Sequence, residues 1–208
     1  MTPAATARRD SAPPPGKRER VKAANRAAIL RAAGEVFAEH GYGAANIRDI
    51  VRRTDLASGT FYNYFPDKES VFRAIVETSA EQARVRVRAA RQAASTLEEF
   101  VDGGFRAYFE FVSEDRDTLL LMRRNAGTIR ALFDEPAIGT GTAELRADLG
   151  RAIAGGLMPA HDTEYMAAAM VGVAIELALA MVERDPPDVE GATAMANAIF
   201  APALRALG

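Results

Sequence analysis

The sequence contains no cysteine, no tryptophan and only two histidines among its 208 residues. The absence of cysteine excludes disulfide bonds and thiolate metal sites. Neither His40 nor His161 lies in an HExxH motif, and no GxSxG motif indicates a serine nucleophile. His40 falls on the apolar side of a predicted helix, and we expect it in the core. The sequence therefore predicts neither an enzyme nor a cofactor.

Positive charge is concentrated at the N-terminus. Residues 1–53 carry 11 Lys and Arg against 5 Asp and Glu, a surplus of 6 positive charges, although the whole chain has a net charge of −2. Such asymmetry is typical of a protein with one part facing a polyanion, but a solvated arm explains it about as well. The first 19 residues are basic, contain PPPG and lack the apolar run of a signal peptide. They predict a disordered basic arm and a cytoplasmic protein.

A long helix followed by a short one is indicated after this arm. Apolar residues recur at helical spacing from about Arg20, and Gly41 is suited to the C-terminal cap. Asn46 is suited to the N-cap of a short helix that begins at Ile47. On that helix Ile50 and Val51 are expected to face the core, with the arginines outside.

The segment SGTFYNYFPDK, residues 58–68, predicts a second short helix. Phe61 and Phe65 form its apolar stripe, and the polar positions point the other way. Two short helices joined by a turn of three or four residues are typical of a helix-turn-helix, whose second helix enters the major groove. Pro66 ends the helix and Asp67 can cap the next one, where Lys68 would suit a bound phosphate.

Roughly residues 26–72, from the first apolar stripe through GTFYNYF to Lys68, resemble the DNA-binding domain of the TetR family of bacterial regulators. The resemblance implies an all-α homodimer with an N-terminal three-helix DNA-binding unit and a larger C-terminal domain for ligand binding and dimerisation. At matching positions it implies base contacts from Arg48, Ser58 and Thr60, and backbone contacts from Tyr62, Tyr64 and Lys68. Gly59 and Asn63 complete the predicted DNA-binding face.

The turn of this motif departs from the family's usual Ala-Gly-Val-Ser, because the chain reads Thr54, Asp55, Leu56 and Ala57. We expect Asp55 to adopt the left-handed conformation that glycine would take. Ser58 could then replace the missing capping hydroxyl at position 57.

The rest of the chain predicts further helices. We assign a disordered basic arm to residues 1–19, a DNA-binding domain to 20–66 and a helical ligand-binding and dimerisation domain to 67–208. The helix after Thr96 has a wide aromatic face, which either packs the core or lines a ligand cavity. The predicted cavity residues are Phe105, Tyr108, Phe109, Met122, Arg123, Asn125, Tyr165 and Met170.

An apolar run at residues 165–182 is nearly long enough to span a membrane. Glu176 inside the run, its high alanine content and acidic flanks argue against a membrane. A helix that is apolar all round can instead be buried between subunits. Small residues such as Ala168, Gly172 and Ala178 favour close contact, and with the final helix this run predicts a four-helix dimer interface.

The sequence thus predicts a ligand-responsive transcriptional regulator, a repressor that a small, largely apolar molecule releases from a palindromic operator in double-stranded DNA. Arg123, Arg124 or Asn125 would hold a carboxylate or carbonyl of that molecule. The alternative is a helical ligand-binding or protein-interaction module that does not bind an operator.

Overall fold

The computed structural model describes residues 16–114, 116–133 and 140–207. All regular secondary structure in these ranges is helical, which confirms the all-α prediction. The helices are α1 (Lys17–Ala44), α2 (Ile47–Arg52), α3 (Ser58–Phe61), α4 (Lys68–Ala93), α5 (Leu97–Glu114), α6 (Arg116–Phe133), α7 (Thr140–Ala154), α8 (Thr163–Val182) and α9 (Val189–Ala206).

Helix α1 begins at Lys17, three residues before the predicted start, and kinks at Gly41, where φ is 77°. The kink confirms that the regular helix ends at this glycine, because an L-residue is disfavoured at such a φ. The prediction for His40 was wrong: its side chain is 44% exposed. It occupies the last helical position before the kink, where water reaches it. Residues 1–15 of the predicted arm lie outside the described residues.

The N-terminal unit packs α1, α2 and α3 around buried aliphatic and aromatic side chains. Ile50 of α2, Phe61 of α3 and the following Phe65 are buried, as their spacing predicted. Asn46 caps α2, since its Oδ1 accepts the Asp49 N–H at 3.0 Å. Asp67 caps α4 by accepting the Ser70 N–H at 2.7 Å.

Helices α4 to α9 form the larger C-terminal bundle. Phe105 of α5 stacks on Phe109 at a centroid distance of 6.0 Å and on Phe200 of α9 at 5.5 Å. These aromatic contacts fix α5 at the centre of the bundle. Helix α4 runs from the N-terminal unit into the bundle and packs against both.

Helices α8 and α9 leave an apolar face on the outside of the bundle. Ala168 and Gly172 are exposed on α8, and Met195 and Ile199 of α9 are 53% and 42% exposed. Ala178 is instead buried within its own chain, so it cannot contribute to that outer face. By length and composition α8 could cross a membrane, but the same composition is typical of a core helix, and its inner face packs in the bundle.

A buried amide of α6 forms hydrogen bonds with the end of α1. Asn125 of α6 is 3% exposed. Its Oδ1 accepts the Tyr42 N–H at 2.6 Å, and its Nδ2 donates to the carbonyls of Phe37 at 3.2 Å and Leu121 at 2.8 Å. Helix α6 is irregular at this residue, with φ −124° and ψ 20°. The amide therefore bonds both helices at the point where each departs from regular geometry.

We expect Asn125→Ala to lower the free energy of unfolding by about 1–3 kcal/mol, because it leaves buried backbone groups without partners. Urea denaturation monitored by circular dichroism measures this change. The exposed neighbour Arg123→Ala is the control and should change stability by less than about 0.5 kcal/mol. Equal stability of both variants would show that the amide bonds carry no net free energy.

Candidate functional site

The turn between α2 and α3 is closed by the side chain of Thr54. Its Oγ1 donates to the Val51 carbonyl at 2.9 Å and accepts the Leu56 N–H at 3.3 Å. No non-glycine residue in the described ranges has a positive φ, so the left-handed conformation expected for Asp55 was wrong. The threonine hydroxyl supplies the hydrogen bonds of the turn, and no residue has to adopt a strained conformation.

Helix α3 begins at Ser58 and has only one regular turn. Ala57 is its N-cap residue, and no side chain caps it, so the expected replacement by Ser58 does not occur. The Thr60 N–H donates to the Ala57 carbonyl at 2.8 Å. After Phe61 the chain continues in tight turns rather than in the predicted regular helix, with the Tyr64 N–H donating to the Phe61 carbonyl at 2.9 Å.

Five of the eight predicted DNA-binding residues are exposed, and we call these five together the recognition face. Tyr62 is 58% exposed and Thr60 beside it is half-buried. Burial of Phe61 and Phe65 turns the polar residues of their own segment outward, and burial of Ile50 does the same for Arg48 on α2. The recognition face consists of Arg48, Ser58, Gly59, Tyr62 and Asn63.

Two of the remaining predicted residues bind other parts of the chain. The Tyr64 hydroxyl accepts from Asn25 Nδ2 of α1 at 3.2 Å. The Lys68 ammonium donates to the carbonyls of Tyr42 at 2.7 Å and Ala45 at 3.1 Å, and it lies 4.5 Å from the centre of the Tyr42 ring.

A third, longer bond at 3.4 Å joins Lys68 to the Gly43 carbonyl. In this conformation the three N–H groups of Lys68 are occupied, and the lysine caps the carbonyls that α1 leaves unpaired after Gly41. A lysine often caps the last carbonyls of its own helix. Here Lys68 belongs to α4 and caps a different helix, and its nearest partner in sequence, Ala45, is 23 residues away. Local sequence could not reveal the contact.

A cavity of about 210 Å³ lies within the C-terminal bundle, between α4, α5, α6, α7 and α8. Four of the eight predicted ligand-binding residues line it: Phe105, Tyr108, Met122 and Met170. Aromatic rings and thioethers dominate this part of the wall, which suits an apolar ligand. Burial raises the pKa of Tyr108 to about 12, so its phenol stays protonated at neutral pH.

Helix α4 contributes two arginines to the cavity wall that the sequence-based prediction missed. Arg84 and Arg91 are seven residues apart, and both line the cavity. Arg91 is 9% exposed, and its Nη2 lies 2.8 Å from Asp148 Oδ2 of α7. Burial outweighs this ion pair and lowers the pKa of Arg91 below its usual value. The seven-residue spacing in ARVRVRAAR was the available signal, since it places two arginines on one helix face.

Buried polar atoms at this end of the cavity lack hydrogen bonds. Arg91 Nε and Arg84 Nε have no hydrogen-bond partner among the described residues. Asp148 Oδ2 has none of acceptable geometry either, so its short contact with Arg91 is an ion pair rather than a hydrogen bond. Within the same ranges no three acidic or histidine side chains come together as a metal site requires.

Residues 29–75 match the family model described as bacterial regulatory proteins of the tetR family. This segment contains α2, α3 and the whole recognition face. The similarity to the TetR family rests on this N-terminal segment. Among curated relatives, UidR of Escherichia coli K12, an HTH-type transcriptional regulator, is 36% identical over 63 residues, which are 30% of this chain and 32% of UidR.

Solved structures show the same TetR-family fold over most of the chain. The fatty acid degradation regulator FadR of Bacillus halodurans has a TM-score of 0.71 at 21% identity, covering 84% of this chain and 93% of FadR. FadR of Bacillus subtilis, solved in complex with stearoyl-CoA, has a TM-score of 0.69 at 21% identity, covering 86% and 97%. The chain spans only about a third of the length of UidR, and these structures support the fold alone.

The other four predicted ligand-binding residues lie away from the cavity. Phe109 is fully buried in the packed core and Tyr165 is 78% exposed. Arg123 is exposed, as is Arg124, and Asn125 is bonded to α1. Helix α6 turns Met122 and Ile129 towards the cavity, so residues at intermediate helical positions face elsewhere.

We expect Phe109→Ala to lower the free energy of unfolding by about 3–5 kcal/mol, as for a large aromatic residue in a packed core. Thermal or urea unfolding measures the loss. Tyr165→Ala, which truncates an exposed ring, is the control and should cost less than about 0.5 kcal/mol. A cost below about 1 kcal/mol for Phe109→Ala would contradict its placement in the core.

Proposed function

We propose that this chain is a cytoplasmic, ligand-responsive transcriptional repressor that binds a palindromic operator as a homodimer. In this proposal residues 20–66 bind DNA, whereas residues 67–208 hold the effector and form the dimer. A small, largely apolar molecule in the cavity releases the operator. The observation that carries the proposal is the recognition face, which lies within the TetR-family match.

The chemistry of the recognition face supports DNA binding. Arg48 offers a guanidinium that can donate two hydrogen bonds to a guanine edge. Ser58, Tyr62 and Asn63 offer hydroxyl and amide groups for phosphates or bases. Gly59 has no neighbouring atom within 4 Å of an added Cβ and leaves room for close approach of the backbone. The surplus of positive charge in residues 1–53 would add sequence-independent attraction to DNA.

The outer face of α8 and α9 supports dimerisation. Many exposed residues on these helices are small or apolar, including Ala168, Gly172, Met195 and Ile199, although Glu176 of α8 is exposed as well. A contiguous apolar face on a monomer favours association, and pairing two copies of it forms the four-helix interface. A twofold dimer would carry two recognition faces, which matches a palindromic operator.

The connection between cavity and recognition face supports ligand response. Leu121, Met122 and Ile129 of α6 line the cavity, and Asn125 between them is bonded to α1. Helix α4 also lines the cavity and begins at Lys68, which is bonded to the same end of α1. An effector that prefers one arrangement of these helices shifts the dimer towards it by its difference in affinity for the two arrangements.

We expect Arg48→Ala to weaken operator binding by about 1–3 kcal/mol and to relax preference at one base position. Operator fragments would first be selected from genomic DNA with the wild-type protein, and affinities measured by fluorescence anisotropy at fixed salt. Arg88→Ala is the matched control, because Arg88 is exposed on α4 away from the recognition face.

Equal losses for Arg48→Ala and Arg88→Ala would contradict the placement of the recognition face. Failure of the wild-type protein to select any DNA fragment would favour the alternative of a ligand-binding or interaction module. Both outcomes are independent of whether the cavity binds a ligand.

We expect Gly172→Glu to produce monomers that lose most operator affinity, because it places a charge in the proposed interface. An added side chain at Gly172 meets nothing within 4 Å in its own chain, so folding should be preserved. Gly127→Glu on α6 is the control, being exposed and equally unobstructed. Analytical ultracentrifugation measures the oligomeric state of both variants. Unchanged dimers for Gly172→Glu would show that the interface lies elsewhere.

A further inference from the structure

The polar end of the cavity offers a hydrogen-bond donor that the protein itself does not satisfy. Arg91 lines the cavity, is nine-tenths buried, and its Nε has no hydrogen-bond partner among the described residues. A buried N–H without an acceptor is unfavourable, and such groups are uncommon in folded proteins. A ligand oxygen at this position would remove the deficit.

The charges around this donor are already balanced. Arg91 pairs with Asp148, which also contacts Arg151. Arg84, the other arginine of the wall, pairs with Glu81 and has Glu144 at 4.0 Å from its Nε. No cation in this part of the described structure is left without a nearby carboxylate. The wall therefore presents unsatisfied N–H groups without an unpaired positive charge.

We propose that the effector is an uncharged, largely apolar molecule with a carbonyl-type oxygen that accepts the Nε–H of Arg91. This inference rests on the effector site of the proposed function and specifies its ligand class. Phe105, Met122 and Met170 would surround the apolar body of the ligand.

Charge balance favours a neutral carbonyl over a carboxylate. An anion would lose its hydration on entry and find each arginine already paired with an acidic side chain. A carbonyl satisfies the same donor at a much smaller desolvation cost. A hydrocarbon would fill the apolar part of the cavity but would leave the Arg91 Nε–H unsatisfied.

The site of Arg91 is shaped by its neighbour on α5. A Cβ added at Gly104 would come within 3.3 Å of Arg91 Cγ. The glycine therefore lets the arginine stem lie directly against α5, with its guanidinium towards α7 and Asp148. This close packing fixes the donor in the wall, so a bound oxygen would meet a preorganised group.

Three ligands of similar size separate the possibilities: methyl hydrocinnamate has an ester carbonyl, hydrocinnamate is the corresponding anion, and pentylbenzene has no acceptor. Each is tested for displacement of the neutral fluorophore N-phenyl-1-naphthylamine from the full chain without DNA. The ratio of the ester and hydrocarbon dissociation constants is compared between variants, because this comparison cancels their different partitioning from water.

The informative variant is Arg91→Met combined with Asp148→Leu, which removes both members of the buried pair. It leaves no unpaired charge in the core, because Arg151, the other partner of Asp148, has an exposed side chain. We expect this variant to raise the ester-to-hydrocarbon ratio of dissociation constants about tenfold, the loss of one hydrogen bond. Arg88→Met is the control, since Arg88 is exposed on the same helix and does not line the cavity. Circular dichroism melting confirms that each variant is folded.

An unchanged ratio in the folded double variant would overturn the proposal, as would tighter binding of hydrocinnamate than of its methyl ester. A ratio change seen only for Arg84→Met would show that Arg84 donates to the ligand oxygen, and it would overturn the assignment to Arg91. Absence of displacement by all three compounds would overturn the ligand class. Operator binding by the same proteins is measured separately. If the wild-type protein binds no operator but the ratio changes as expected, the result contradicts the proposed function and leaves the ligand class supported.

Discussion

The unpaired backbone groups at the end of α1 impose the constraint on which the rest of this structure depends. The kink at Gly41 leaves the Tyr42 N–H and three nearby carbonyls without regular helical partners, and backbone groups of this kind need other partners. Two partners arrive from different helices: Asn125 of α6 accepts the N–H, and Lys68 of α4 donates to the carbonyls. The ring of Tyr42 also packs 4.9 Å from that of Phe72 on α4. The N-terminal unit is therefore held in its orientation by two helices of the bundle, α4 and α6.

The same two helices form much of the cavity wall. Asn125 lies within one helical turn of Met122 and Ile129, and Lys68 is two turns before the first lining residue of α4, Val76. A ligand that moves either helix must alter hydrogen bonds at the end of α1 or carry the N-terminal unit with it. Coupling between the cavity and the N-terminal unit then needs no long chain of intermediate residues. Helices α4 and α6 each contact both the cavity and the end of α1.

Local signals in the sequence were sufficient for the helix caps and the buried stripe of the N-terminal unit, whereas the DNA contacts of the recognition face stay a prediction. The cap at Asn46, the cap at Asp67 and the Phe61 and Phe65 stripe depend only on residues within one or two turns, and all three predictions were confirmed. The roles of Lys68 and Asn125 depend on partners 23 or more residues away, so no local pattern revealed them. Half of the predicted cavity residues line the cavity, because aromatic and thioether side chains in the sequence indicated them. The two arginines of α4 were missed, because their sequence pattern is also typical of an exposed charged helix face.

The Arg91 and Asp148 pair is difficult to explain by stability alone. Replacing a buried ion pair by apolar side chains of similar volume is often neutral or stabilising, because two charges lose their hydration when they are buried. Here the cost is increased by an Nε and an Oδ2 without hydrogen bonds of acceptable geometry among the described residues. Most other side chains around the cavity are apolar, and apolar side chains would fill the same space at lower cost. A wall that retains an unsatisfied donor beside an apolar cavity is more consistent with selection among ligands than with packing, since the deficit disappears only when an acceptor binds.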